Sequence, residues 1–180
     1  MEKVILVDSS DSAIGEMEKM EAHQKAELHR AVSVFIFNTE GKLLLQKRAE
    51  SKYHSPGLWT NTACTHPRPN DRNEEAAARR LEEEMGIKLT KLTKIFDFTY
   101  KETFKNGLTE YEYDHVFVGI SDALPNPNPT EVCDFEYVEC DGLLKQIEKN
   151  PENYTVWFKK IIHRVCAETE KLGFTTKNLL

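Results

Sequence analysis

Apolar residues fall along the chain in short runs whose period changes from one segment to the next. Val4 to Val7 is a brief apolar run that predicts a strand, and Asp8-Ser9-Ser10-Asp11 predicts a turn. Gly15 to Arg30 is polar and holds Lys19, His23 and His29; its pattern does not decide between helix and loop. Ala31 to Phe37 (AVSVFIF) is β-branched and aromatic, which predicts a largely buried strand. Asn38-Thr39-Glu40-Gly41 turns the chain, and Lys42 to Arg48 returns it as the second arm of a hairpin. A loop closing with Pro56-Gly57 leads to a further strand over Leu58–Ala63.

Pro67 and Pro69 keep residues 64–72 irregular. The next segment predicts a helix from Asn73 to Met85, with Asp71 or Asn73 as cap and Ala77, Leu81 and Met85 as its apolar stripe. Arg79 with Glu83, and Arg80 with Glu84, have the spacing of helical ion pairs, and Gly86 suits the helix end. Lys94–Thr103 and Leu108–Ile120 predict two strands around the tight turn Asn106-Gly107. A stiff Pro125-Asn126-Pro127-Asn128-Pro129 connector precedes a strand over Cys133–Val138. Two helices follow, Asp141–Lys149 and roughly Thr155–Leu172, the second with Trp157, Ile161, Ile162, Val165 and Cys166 at helical spacing. Strands mixed with helices in this order predict an α/β sandwich, a sheet with helices on its faces.

Length narrows this to one domain over residues 1–180, with its core at about 30–140 and C-terminal helices at 141–173. Hydrophobic content of 39% and charged content of 30% suit an ordinary globular chain. The sequence has no apolar run of membrane-spanning length and no secretory signal pattern. Cys64, Cys133, Cys140 and Cys166 lack both the spacing of a metal knuckle and the density of a disulfide scaffold. A cytoplasmic protein is therefore expected. The net charge of −6 argues against nucleic acid as a partner. Monomer and dimer both stay open.

Two patterns carry chemistry. Cys64 and His66 stand where a strand gives way to a loop, in reach of thiol chemistry and of metal ligation. Glu110, Glu112 and Asp114 alternate with Tyr111, Tyr113 and His115, so the three acids share one strand face. Either a bound cation or hydrogen bonds relieve their repulsion, or the face is simply exposed.

Thr65 to Ile87 resembles a degenerate Nudix box. Arg79, Leu81, Glu83, Glu84, Gly86 and Ile87 fit its pattern; Thr65 stands for its first glycine, Asp71 for its first glutamate and Arg80 for the glutamate after arginine. With those departures the chain is similar to the type I isopentenyl diphosphate isomerases, a branch of the Nudix superfamily. The matching residues run in order: Lys19 with His23 and His29, Arg48 with Lys52, Pro56 to Asn61 leading into Cys64 and His66, Arg80 with Glu84, Tyr100, Glu110 with Glu112, Glu131-Val132 and Trp157. The His23–His29 spacing is one residue shorter than the family pattern.

The resemblance implies an α/β/α Nudix fold with an N-terminal extension. It implies conversion of isopentenyl diphosphate to dimethylallyl diphosphate and back, a small-molecule reaction with no membrane partner. Cys64 and Glu112 become the proton-transfer pair, Tyr100 a hydrogen-bond partner of Glu112, and Trp157 the ring facing a cationic intermediate. His23, His29, His66, Glu110 and Glu112 become a site for Mn²⁺, Zn²⁺ or Mg²⁺. Lys19, Arg48, Lys52 and Arg80 hold the diphosphate, with Glu84 on a Mg²⁺ bridging to it. A Nudix pyrophosphohydrolase and a non-catalytic diphosphate-binding module are the alternatives.

Overall fold

The apolar runs become a single connected sheet. The computed structural model describes residues 2–174. Its strands are β1 (Lys3–Val7), β2 (Ala13–Glu18), β3 (His29–Phe37), β4 (Leu43–Arg48), β5 (Trp59–Thr60), β6 (Ala63–Thr65), β7 (Thr93–Thr103), β8 (Thr109–Ile120) and β9 (Val132–Val138). The helices are α1 (Lys19–Lys25), α2 (Asn73–Met85), α3 (Cys140–Lys149) and α4 (Val156–Lys171).

β3 is the central strand. It runs parallel to β8, in register from His29 opposite Glu112 to Phe37 opposite Ile120. β8 continues antiparallel into β7. Period two sends the side chains of β3 to opposite faces. Val32, Val34 and Ile36 pack with Ala76, Ala77, Leu81 and Met85 of α2. Phe35 and Phe37 pack with Leu143 of α3 and with Phe158, Ile161 and Val165 of α4. Two apolar layers on one sheet make the α/β/α sandwich that the sequence predicts.

The strand expected over Leu58–Ala63 is divided, and the division places Cys64. β3 and β4 pair only at Ile36–Leu44 and Phe37–Leu43, then splay apart. The chain crosses the fork: β5 pairs with β4, while β6 pairs with β3 with Cys64 opposite Ser33. At the crotch the Thr62 hydroxyl accepts from the Ile36 N–H at 2.9 Å and donates to the Leu44 carbonyl at 2.6 Å. One side chain replaces the missing ladder bonds, because buried backbone groups need partners. Cys64 thus lies within β6, on the sheet itself.

The undecided segment, residues 15–30, forms β2, α1 and the start of β3. Glu18 caps α1 through the Glu21 N–H at 3.0 Å, and Ala26, left-handed at φ 55°, closes it. Neither expected cap of α2 acts as one. Its N-cap residue is Arg72, without a side-chain bond, while Asp71 accepts from the Arg68 N–H and from Arg79 at 2.6 Å. Arg79 therefore pairs with Asp71 instead of Glu83. Arg80 does meet Glu84, at 2.6 Å.

Gly86 ends α2 at φ +67°, and a side chain there would put its Cβ 2.7 Å from the Asn126 carbonyl oxygen. This close approach lets the proline-rich connector cover the helix end. The Asn126 and Asn128 N–H groups donate to the Met85 and Glu84 carbonyls at 2.8 and 2.9 Å. Gly86→Ala is expected to lower unfolding stability by about 1–3 kcal/mol, from left-handed strain and a displaced connector. Urea denaturation measures it.

Candidate active site

The elements converge on one cleft of about 180 Å³. α1 and the N-terminus of β3 form one side of it. β6, with the residues that follow it toward α2, forms another. β7 and β8 carry Tyr100 and the acids, and α4 contributes Trp157.

Three imidazoles and one carboxylate form a buried cluster that shares His66 and Glu112 with the cleft wall. His23 comes from α1, His29 from β3, His66 from the segment after β6 and Glu112 from β8. One ligand atom from each lies within 4.8 Å of the other three. His23 and His29 have ring centroids 5.0 Å apart, so their short spacing in sequence still brings them together. His29 Nδ1 lies 2.8 Å from the Glu27 carbonyl, which turns its other nitrogen into the cluster. His66 Nε2 reaches Glu112 Oε1 at 2.8 Å. Both nitrogens of His23 and Nε2 of His29 are buried without hydrogen-bond partners. Burial holds all three imidazoles below their usual range, His29 down to about 3. Convergent imidazoles held below their usual range, two of them with unpartnered nitrogens and the third on the Glu112 carboxylate, suit a divalent metal.

Glu110 lies outside this group of four, although it shares the strand face of Glu112. Its carboxylate takes the Tyr100 hydroxyl at 2.8 Å and lies 3.1 Å from His54 Nε2. Tyr100 stands 2.8 Å from Glu112 as well. Burial and the charge of Glu112 push the Glu110 carboxyl well up. Asp114, third on the face, is buried and accepts from Ser33 at 2.6 Å. Hydrogen bonds within the protein therefore relieve part of the acidic face, and none of the three acids is exposed.

Cys64 and Glu112 line the same cleft. Burial, followed by the charge of Glu84, pushes the Cys64 thiol up to about 12, so it is protonated at neutral pH in the free protein. Trp157 is buried, with its N–H on Asn61 Oδ1 at 3.2 Å. The Arg48 guanidinium lies 5.3 Å from its ring centroid.

The four cations expected to hold a diphosphate all border the cleft. Each is already partnered. Lys19 pairs with Glu2 at 3.1 Å, and Lys52 with Glu131 at 2.7 Å. Arg80 bridges Glu84 and Glu131, both at 2.6 Å. Arg48 donates to the His54 and Ser55 carbonyls. Glu84 is buried and also receives the Gln46 amide at 2.6 Å.

Glu2, Gln46 and His54 are the site's unforeseen members. Glu131 matches the family pattern but carries no implied role, and Gln46 lies within an apolar strand. His54 is two residues from Lys52 in a loop already expected to face the ligand, and this was the available clue.

Similarity to known proteins agrees with the geometry. The NUDIX domain model matches residues 27–158. An isopentenyl-diphosphate Delta-isomerase of Pectobacterium atrosepticum is 48% identical over 163 residues, covering 91% of this chain and 90% of its relative. Isopentenyl-diphosphate Delta-isomerase 2 of Photorhabdus laumondii is 51% identical over 162 residues, covering 90% and 91%. Among solved structures, DR0079 from Deinococcus radiodurans superposes with a TM-score of 0.76 at 21% identity, over 91% of this chain and 98% of that one. That likeness speaks for the fold alone. The chain belongs to the NUDIX domain family. Within that family it is an intramolecular isomerase, one of the isopentenyl-diphosphate Delta-isomerases.

Proposed function

We propose that the cleft interconverts isopentenyl diphosphate and dimethylallyl diphosphate by an allylic proton shift, in the supply of isoprenoid units. One carbon gains a proton and another loses one, through a species with carbocation character. The observation that carries this reading is the shared cleft of Cys64 and Glu112, set among groups suited to a diphosphate.

Cys64 and Glu112 are the two proton carriers, and a reversible reaction uses each in both senses. Tyr100 holds the Glu112 carboxylate in place. The Trp157 ring borders the path of the cationic carbon, where an indole face contributes about 0.5–2 kcal/mol. Lys19, Arg48, Lys52 and Arg80 hold the diphosphate, and each charge-assisted bond contributes about 1.5–3 kcal/mol. Anchoring the remote end orients the alkene between the carriers. Glu84, paired with Arg80 in the free protein, would hold a Mg²⁺ whose charge would offset that of the diphosphate.

His23, His29, His66 and Glu112 would hold the second ion. Three imidazoles favour Mn²⁺ or Zn²⁺ over Mg²⁺ on ligand softness. Held there, the ion would supply positive charge beside the Glu112 carboxylate, which would steady that carboxylate and change its acidity. Glu110 stands next to this set and joins it only by leaving Tyr100 or His54.

A pyrophosphohydrolase is the weaker reading, because two box acids are replaced by Asp71, which is tied to Arg79, and by the cation Arg80. Among the described residues no helix is long and apolar enough to cross a membrane. Four free cysteines support a reducing compartment, the cytoplasm. Neither a nucleic-acid nor a membrane partner is needed for this chemistry.

The test is incubation with isopentenyl diphosphate and Mg²⁺. Dimethylallyl diphosphate without phosphate release is the expected outcome. Phosphate release without an allylic product makes the protein a hydrolase, and binding without turnover makes it a sensor.

A further inference from the structure

The loop between β4 and β5 sends three neighbouring side chains to the cleft: Lys52, Tyr53 and His54. Of the three, only Lys52 has a task in the proposed function. His54 is buried, and aromatic rings box it in. It stacks on Phe104 with centroids 5.1 Å apart and planes at 15°. Tyr53 and Trp157 meet it at near right angles, 4.5 and 5.7 Å away. The backbone there is tied as well. Arg48 donates to the His54 and Ser55 carbonyls at 3.1 and 3.2 Å, and the Asn106 amide donates to the Tyr53 carbonyl at 3.2 Å. Ring contacts and loop together fix where the imidazole nitrogens point. Nε2 stands 3.1 Å from Glu110 Oε1. Nδ1 is buried with no hydrogen-bond partner.

We propose that His54 is a positioning residue for the isomerisation: its imidazole fixes Glu110, and Glu110 fixes the Tyr100 hydroxyl against Glu112. This role rests on the proposed function, in which Glu112 carries a proton. The contacts run as a chain. Glu110 Oε1 faces His54, and Glu110 Oε2 takes the Tyr100 hydroxyl at 2.8 Å. The same hydroxyl stands 2.8 Å from Glu112 Oε2, and Glu112 Oε1 meets His66. A proton on Nδ1 of His54 would be a buried donor without an acceptor, which is costly. The imidazole N–H therefore belongs on Nε2, aimed at Glu110. Without it, Glu110 is left with Tyr100 and is free to turn about its side-chain torsions. Tyr100 then loses a fixed neighbour, and Glu112 loses part of its frame. A misplaced proton carrier lowers rate even where the substrate still binds.

His54→Phe and His54→Gln separate the donor from the ring. Phenylalanine keeps the aromatic box and removes the N–H; glutamine keeps an N–H and gives up the ring. His54→Phe is expected to lower kcat by about 10–100-fold, the range for side chains one step behind a metal ligand. KM for isopentenyl diphosphate should hold, because Arg48 still donates to the backbone carbonyl of residue 54. His54→Gln should recover most of kcat despite a lower melting temperature. Independently of activity, ¹⁵N–¹H spectra of the free protein should place the His54 proton on Nε2.

The role is lost if that proton sits on Nδ1, if His54→Phe keeps near-normal kcat, if its loss falls on KM instead, or if His54→Gln does no better than His54→Phe. No dimethylallyl diphosphate from the unaltered protein would remove the proposed function, and this role with it. Normal turnover in the unaltered protein beside an indifferent His54→Phe would remove this role alone.

Discussion

Cys64→Ala is expected to lower isomerase turnover by at least about 10³-fold while the chain stays folded. One positioned proton carrier contributes roughly 10²–10⁴-fold, and alanine leaves no group to replace the thiol. The structural cost is small. β6 is held to β3 by backbone pairing at Ala63, Cys64 and Thr65, and the Thr62 hydroxyl locks the fork beside it. Loss of one sulfur at the cleft wall costs about 1 kcal/mol. The measurement pairs product formation from isopentenyl diphosphate with a thermal melt. Near-normal turnover would remove Cys64 from the reaction. An unfolded variant would call instead for Cys64→Ser, which keeps the volume.

Glu112→Gln is expected to produce two losses that separate experimentally. Glu112 is where the metal set and the proton pathway meet: one oxygen lies 2.8 Å from His66 Nε2, and the other 2.8 Å from the Tyr100 hydroxyl. Glutamine keeps the shape and one acceptor but not the charge. Metal affinity should fall by at least about 10–100-fold, the range seen even for groups outside the ligand shell. Saturating metal should restore occupancy, read by metal analysis, without restoring turnover, because an amide does not accept and return a proton near neutral pH. Normal turnover at full occupancy would leave Glu112 with the ligand role alone. Unchanged metal content would remove that role too.

Much of the architecture was legible because burial and period agree. β3 and β8 are apolar or alternating along their length, and α2 runs from a proline-rich entry to a glycine stop. Residues 15–30 were not legible, since the features that shape α1 are a glutamate cap and a left-handed alanine, neither of which the residue types advertise. The break between β5 and β6 was hidden for a different reason. Asn61 and Thr62 fall within a run that reads as one strand, and the fork between β3 and β4 takes them off the ladder that Thr60 still keeps with Gln46. Within the site, strand periodicity put Glu110 and Glu112 on one face but says nothing of where each carboxylate turns. That choice was made by Tyr100 and His54, which arrive from β7 and a distant loop. Glu2 was silent, and Glu131 matched the family pattern without a role, for the same reason: a counter-ion is defined by its partner in space.

The paired cations around the cleft have a consequence for how it meets its substrate. Lys19, Lys52 and Arg80 each carry a carboxylate, so the cradle is nearly neutral before anything arrives. A bare diphosphate gains little there, because every new contact breaks an old one. A diphosphate escorted by Mg²⁺ brings a replacement counter-charge for the displaced acids. On the proposed function, the cleft would work as an ion exchanger that selects the metal complex over the free anion.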